Sequence, residues 1–176
     1  MKSRFVPFLA LGAAVLLAGC GQQRVILCPA AAVLADTASE TVFRGNAPQD
    51  PSGAAYTATI GGVKSDCIFD QQQGQTFSSF DIAFRAVRAP SPDAARYNLP
   101  YFVTLNSAGR VLSKKMYNVS LEFAPGAAVA TADISLGRTT VNLERGLLPT
   151  DYQFLVGFQL TPEQLAYNRK MGRYIP

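Results

Sequence analysis

The stretch Tyr152-Gln153-Phe154-Leu155-Val156-Gly157-Phe158-Gln159-Leu160 decides the fold. Tyr152, Phe154, Val156, Phe158 and Leu160 recur with a period of two, the spacing of side chains along one face of a β-strand. A helix would scatter those five around its axis. The aromatic members make this face a core face. Immediately after it, Thr161-Pro162-Glu163-Gln164 carries a helix start: Thr161 at the N-cap, Pro162 at the first helical position, and Gln164 placed to close a capping box. Leu160 and Leu165 hold the staple positions. The helix is expected to end near Arg169 or Lys170, since Gly172 and Pro176 follow, and to pack on one end of the sheets through Leu165 and Met171.

The same period appears upstream. Phe80, Ile82, Phe84 and Ala86 alternate with Asp81, Ala83 and Arg85 within a strand over Phe77–Arg88. Phe77 is out of phase, which points to a bulge near Ser78-Ser79. Tyr56–Val63 reads as a strand with Tyr56, Ala58 and Ile60 on one face and a bulge at Gly61-Gly62. Ala30–Leu34, Thr41–Phe43, Tyr101–Asn106, Val111–Tyr117, Val119–Phe123 and the flanks of Gly137 supply further short strands. Ser107-Ala108-Gly109 is read as a hairpin turn, and Arg44–Ala54, Ala89–Leu99 and Gly146–Pro149 as loops. Seven to nine such strands with one terminal helix predict an all-β, antiparallel two-sheet sandwich of the immunoglobulin/fibronectin-III-like kind. The chain has no tryptophan, so the buried Trp of antibody domains is missing.

The N-terminus reads differently. Lys2 and Arg4 precede an apolar run, Phe5–Ala18, that ends in Leu17-Ala18-Gly19-Cys20. This is the three-part layout of a secretory signal closing on a lipobox. The run falls short of the ~20 residues a spanning helix needs. Residues 1–19 are therefore expected to be a lipoprotein signal peptide, Cys20 the lipidation site (palmitate-class chains), 20–27 a tether, and 28–176 one β-sandwich domain. Gly21, in place of the Asp that favours inner-membrane retention in enteric-type bacteria, points to the outer membrane with the domain facing the periplasm.

Cysteine and charge narrow the chemistry. Acylation of Cys20 leaves Cys28 and Cys67, and an exported chain with two remaining cysteines is expected to pair them. The signal holds two of the 16 basic residues and none of the 12 acidic ones, so the remainder is nearly neutral and no nucleic-acid partner is implied. With no histidine, Ser-His-Asp and Cys-His sites and His-containing zinc sites are excluded. No P-loop, dinucleotide-binding or EF-hand pattern occurs, and no cofactor or metal is expected. Asp66, Asp70, Asp81 and Glu122 are the carboxylates a hydrolase would have to pair across a cleft; solvated strand faces and turns are the simpler reading. Lys114-Lys115 and Arg169-Lys170 with Arg173 are the basic clusters, read first as solvated surface and otherwise as contacts for head groups or an acidic partner. Tyr97, Tyr101, Phe102 and Tyr117 are either core or a binding patch. Asn118-Val119-Ser120 matches a glycosylation acceptor, a coincidence in a bacterial lipoprotein.

Several stretches together resemble a family of uncharacterised alphaproteobacterial lipoproteins. They are Cys28-Pro29 with Val33-Leu34-Ala35-Asp36, Cys67 before an aromatic, Tyr101-Phe102-Val103, and above all Val156-Gly157-Phe158-Gln159-Leu160-Thr161-Pro162-Glu163-Gln164-Leu165-Ala166-Tyr167-Asn168. The resemblance implies an exported, lipid-anchored β domain and carries no catalytic residues. Three readings of function follow. The first is a noncatalytic sandwich, not an enzyme, held to the membrane by its lipid and contacting an envelope protein or peptidoglycan. The second is a small-ligand-binding periplasmic lipoprotein, which needs a pocket between the sheets. The third is a carboxylate-dependent cell-wall hydrolase, which needs two facing acids in a groove.

Overall fold

The computed structural model describes residues 27–172; Cys20, the expected signal peptide, most of the expected tether and Arg173 lie outside that range. Eight strands run β1 Ala30–Val33, β2 Ser39–Phe43, β3 Ala54–Asp70, β4 Gln75–Arg88, β5 Ala95–Ser107, β6 Arg110–Phe123, β7 Val129–Asn142 and β8 Tyr152–Phe158, followed by helix α1, Pro162–Met171. They form two four-stranded sheets in the orders β1-β8-β5-β6 and β2-β3-β4-β7. The molecule is the two-sheet sandwich that the alternation implied. One pair departs from the antiparallel rule: β1 lies parallel to β8.

Between the sheets, Tyr56, Ile60, Phe80, Ile82 and Phe84 meet Tyr101, Leu121, Phe123, Phe154, Val156 and Phe158 in one core. Phe80 and Phe154 pack edge to face at 4.6 Å, and Phe84 meets Tyr101 at 4.9 Å. Each such side chain contributes about 1.5–3 kcal/mol on burial, so this layer dominates the stability.

Several strands are longer than short-range signals indicate. Val111–Tyr117 and Val119–Phe123 are one strand, β6, and the flanks of Gly137 are one strand, β7. The segment expected to be a loop up to Leu99 is extended from Ala95 onward. Pro100 hid this because proline argues against a central strand. Its position resolves the conflict: Pro100 O accepts from Gln159 N at 2.9 Å, and the N–H that proline lacks would have bonded back to Gln159, where β8 ends. The hairpin turn is the two residues Ala108-Gly109, both with positive φ (48° and 73°), as a type I′ connection requires.

Both bulges occur where expected, with a difference in detail. Gly61 is the extra residue of β3, and beyond it the inward set changes from Tyr56, Ala58 and Ile60 to Val63, Ser65, Cys67 and Phe69. Near Ser78-Ser79 the extra residue belongs to β7, whose Gly137-Arg138 oppose Ser79. Thr76 and Ser78 face inward here, so Phe77 points out, where the Arg138 guanidinium covers its ring at 4.3 Å.

Cys28 and Cys67 form a disulfide, Cα–Cα 5.8 Å. Cys28 leads into an edge strand of one sheet and Cys67 lies on the inner face of β3 in the other. The bond therefore staples the two sheets at the end where the chain enters.

The capping box at Thr161 forms as read, but α1 runs to Met171 and docks by a polar anchor. Asn168 is buried and its Nδ2 donates to Asp36 O (3.0 Å) and Ser39 O (2.8 Å). Tyr167 meets Phe43 edge-on at 5.0 Å. Leu165 is half-buried, and Met171, expected to pack, is 54% exposed. A short helix laid over polar loop backbone gains more from satisfying carbonyls than from burying its last apolar residue.

Candidate interaction surfaces

β6 is the last strand of its sheet, so one row of its backbone groups has no strand partner within that sheet. Arg110, Val111, Leu112, Ser113, Lys114, Lys115 and Met116 are all exposed, including positions whose side chains point toward the opposite sheet. A cavity lies between this half of β6 and the opposite sheet. It is a cleft of about 80 Å³ lined by Phe80, Val103, Lys115, Tyr117, Thr139 and Phe154, among others. A drug-sized ligand needs roughly 300–1,000 Å³, more than this cleft between the sheets offers.

The outer face beside this edge is built from named contacts. Phe102 points outward yet is buried, because Lys114 lies over its ring at 4.5 Å while donating to Gln159 Oε1 at 2.6 Å. Met116 pairs directly with Phe102 and is 48% exposed. Leu112 is the extra residue of an irregularity opposite Leu105-Asn106. The edge is thus apolar and cationic together. Lysine on a free edge discourages self-pairing, and it also suits a partner strand that carries acids.

The four carboxylates do not meet across a groove. Asp66 and Asp81 point outward from β3 and β4, with Lys64 directly opposite Asp81. Asp81 accepts from Ser135 Oγ. Asp70 accepts from Gln72 N and Gln73 N, both at 3.0 Å, and shapes its own turn. Glu122 lies on the other sheet, paired with Arg96 at 2.7 Å in an exposed contact. Arg169 pairs with Asp36 at 3.2 Å, and Lys170 is exposed.

Of the aromatic set, Tyr101 is fully buried, and burial, with Tyr117 beside it, pushes its phenol up to about 12. Tyr97 stacks on Tyr56 at 4.0 Å and Tyr117 on Tyr101 at 5.4 Å. These three are core packing; only Phe102 belongs to an outer face. Asn118 is exposed on β6.

Glu40 had no sequence signal. It faces inward from β2 and is 7% exposed, and burial raises its pKa while the Gln164 hydrogen bond opposes that shift. Gly157 is a second residue whose role was illegible: a Cβ there would collide with Thr37 and Phe102.

At the Cys28 end, the β5–β6 turn, the β7–β8 loop and the start of β1 converge on a shallow depression lined by Ala30, Asn106–Gly109 and Thr150–Gln153. The β7–β8 loop is held firmly. Tyr152 Oη accepts from Glu144 N at 2.8 Å, and Asp151 Oδ2 accepts from Leu148 N at 2.7 Å. Among the described residues no group of three or more Cys, Asp or Glu side chains is placed to hold a metal. No protein-family model, curated protein or solved structure matches the chain.

Proposed function

We propose that this is a lipid-anchored lipoprotein of the bacterial envelope whose sandwich works noncatalytically, through contacts with an envelope protein or peptidoglycan. Leu17–Cys20 and the exported pattern of cysteine use support the anchor and the periplasm-facing location at the outer membrane. The observation that carries the contact is the free edge of β6: seven consecutive exposed residues, Arg110–Met116, apolar and cationic together. An extended acidic segment adding to such an edge gains main-chain hydrogen bonds from the unpaired row and specificity from alternate side chains.

The test has two parts. Cys20→Ser should move the protein out of the membrane fraction; unchanged fractionation overturns the anchor. A photo-crosslinking residue at Leu112 should give discrete adducts in intact cells. These adducts should disappear when Lys114 and Lys115 are changed to Glu, and they should not form from Val129. Adducts that are absent, or the same from both positions, overturn the β6 contact.

A further inference from the structure

We infer that the Cys28 end of the sandwich rests on the lipid surface that holds the protein, with Leu148, Val111 and Ile68 entering the head-group region. This inference rests on the reading of Cys20 as the acylated residue. From Cys20 to Cys28 the chain spans at most about 28 Å even fully extended. The disulfide to Cys67 fixes the point where the tether meets the fold. Strands of 14 residues make the sandwich roughly 45 Å long. The tether is therefore shorter than the domain, and the end that carries Cys28 is held next to the bilayer.

That end carries exposed apolar side chains. Val111 is 63% exposed, Ile68 64% and Leu148 50%. Val111 follows the β5–β6 turn, Ile68 lies two residues before the end of β3, and Leu148 sits in the β7–β8 loop. The β3–β4 turn joins the same end, since Leu143 N donates to Gly74 O at 2.8 Å. Leu148 is presented rigidly: Asp151 holds its N–H, and its neighbour Pro149 is buried. The charges at this end do not oppose approach to a head-group layer. Asp70 and Asp151 are turned into their own loops, exposed Asp66 shares a depression beside Ile68 with Arg138, Glu144 is exposed beside Arg145, and Arg110 and Arg145 are exposed. Apolar side chains set 5–10 Å deep at the head-group boundary, in addition to acyl chains, fit a protein that lies on a membrane without spanning it.

The absence of tryptophan from the sequence gives a clean probe. Protein purified from bacterial membranes after expression of the whole chain with its own N-terminus, carrying Leu148→Trp, Ile68→Trp or Val129→Trp, is reconstituted into phosphatidylethanolamine/phosphatidylglycerol vesicles, with and without brominated acyl chains. Val129 begins β7 at the opposite end. The expected result is blue-shifted emission at Leu148→Trp and Ile68→Trp, quenched at least about twofold by brominated lipid, with no quenching at Val129→Trp. Flotation with the vesicles but no quenching at either probe overturns the end-on contact while leaving the anchor intact. Equal quenching at all three positions overturns the orientation. Failure of the chain to float overturns the acylation reading and the inference with it.

Discussion

Gln164 Nε2 donates to Glu40 Oε1 at 3.3 Å, joining the residue that closes the helix cap to a carboxyl buried in the sandwich. Gln164 Oε1 meanwhile accepts from Thr161 N at 2.9 Å, so one side chain both starts α1 and ties it to β2. Glu40 Oε2 has no hydrogen-bond partner among the described residues, and burial, followed by the Glu40 carboxylate and Tyr97 nearby, raises the Tyr56 phenol.

Burial raises the Glu40 carboxyl above its ordinary value, and the Gln164 hydrogen bond offsets this only in part. Between its unfolded and folded pKa values the folded state binds the extra proton, so stability falls as pH rises through that window. Below the ordinary glutamate value Glu40 is neutral in both states and the penalty vanishes. Glu40→Gln should therefore raise the melting temperature at pH 7 and change it little near pH 4. An equal shift at both pH values would show that ionisation is not the cause.

Gly157 sits under Thr37 and against Phe102, with no room for a Cβ. Gly157→Ala should cost about 1–3 kcal/mol, the usual range for overpacking. Adding Thr37→Gly should recover part of that loss. Urea denaturation of the single and double variants measures the coupling; additive losses would mean the two residues do not crowd each other.

The disulfide closes a loop with a sequence separation of 39. On the chain-entropy account its loss should cost up to about 4 kcal/mol. Cys28→Ser/Cys67→Ser should lower the urea midpoint accordingly. Mass analysis without reduction should show the two cysteines joined, whereas two alkylatable thiols would contradict the pairing.

Thr76 and Ser78 are buried with hydroxyls that meet no protein partner. An unmet buried hydroxyl costs about 1–3 kcal/mol, and an apolar isostere removes that cost. Thr76→Val should stabilise the protein or leave it unchanged. A loss above about 1 kcal/mol in thermal or urea unfolding would mean the hydroxyl is satisfied in solution.

Local pattern was enough for the fold class because period-two alternation records which face is wet. Tyr152–Phe158 and Phe80–Ala86 each carry it unbroken, and both are core strands. The capping box at Thr161 and the bulge at Gly61 were legible for the same reason: their geometry is set by residues within a few positions of one another. The pairing of Cys28 with Cys67 followed from counting the cysteines left once Cys20 is read as the lipidation site.

Other features depend on which distant segments meet. Pro100 reads as a boundary, yet it lies inside β5 because β8 ends beside it. Thr76 and Ser78 face inward where composition alone would place them outside, since their register is fixed by Phe69, Cys67, Val141 and Thr139 on neighbouring strands. Asn168 and Gln164 anchor α1 through partners more than 120 residues away. The candidate surfaces belong to this second class. That β6 is an edge, and that Leu148, Val111 and Ile68 share the Cys28 end, depends on strand order and on long-range register. Alternation along one strand determines which side of it is buried, but whether anything lies beside that strand is settled only by the packing of the whole sheet.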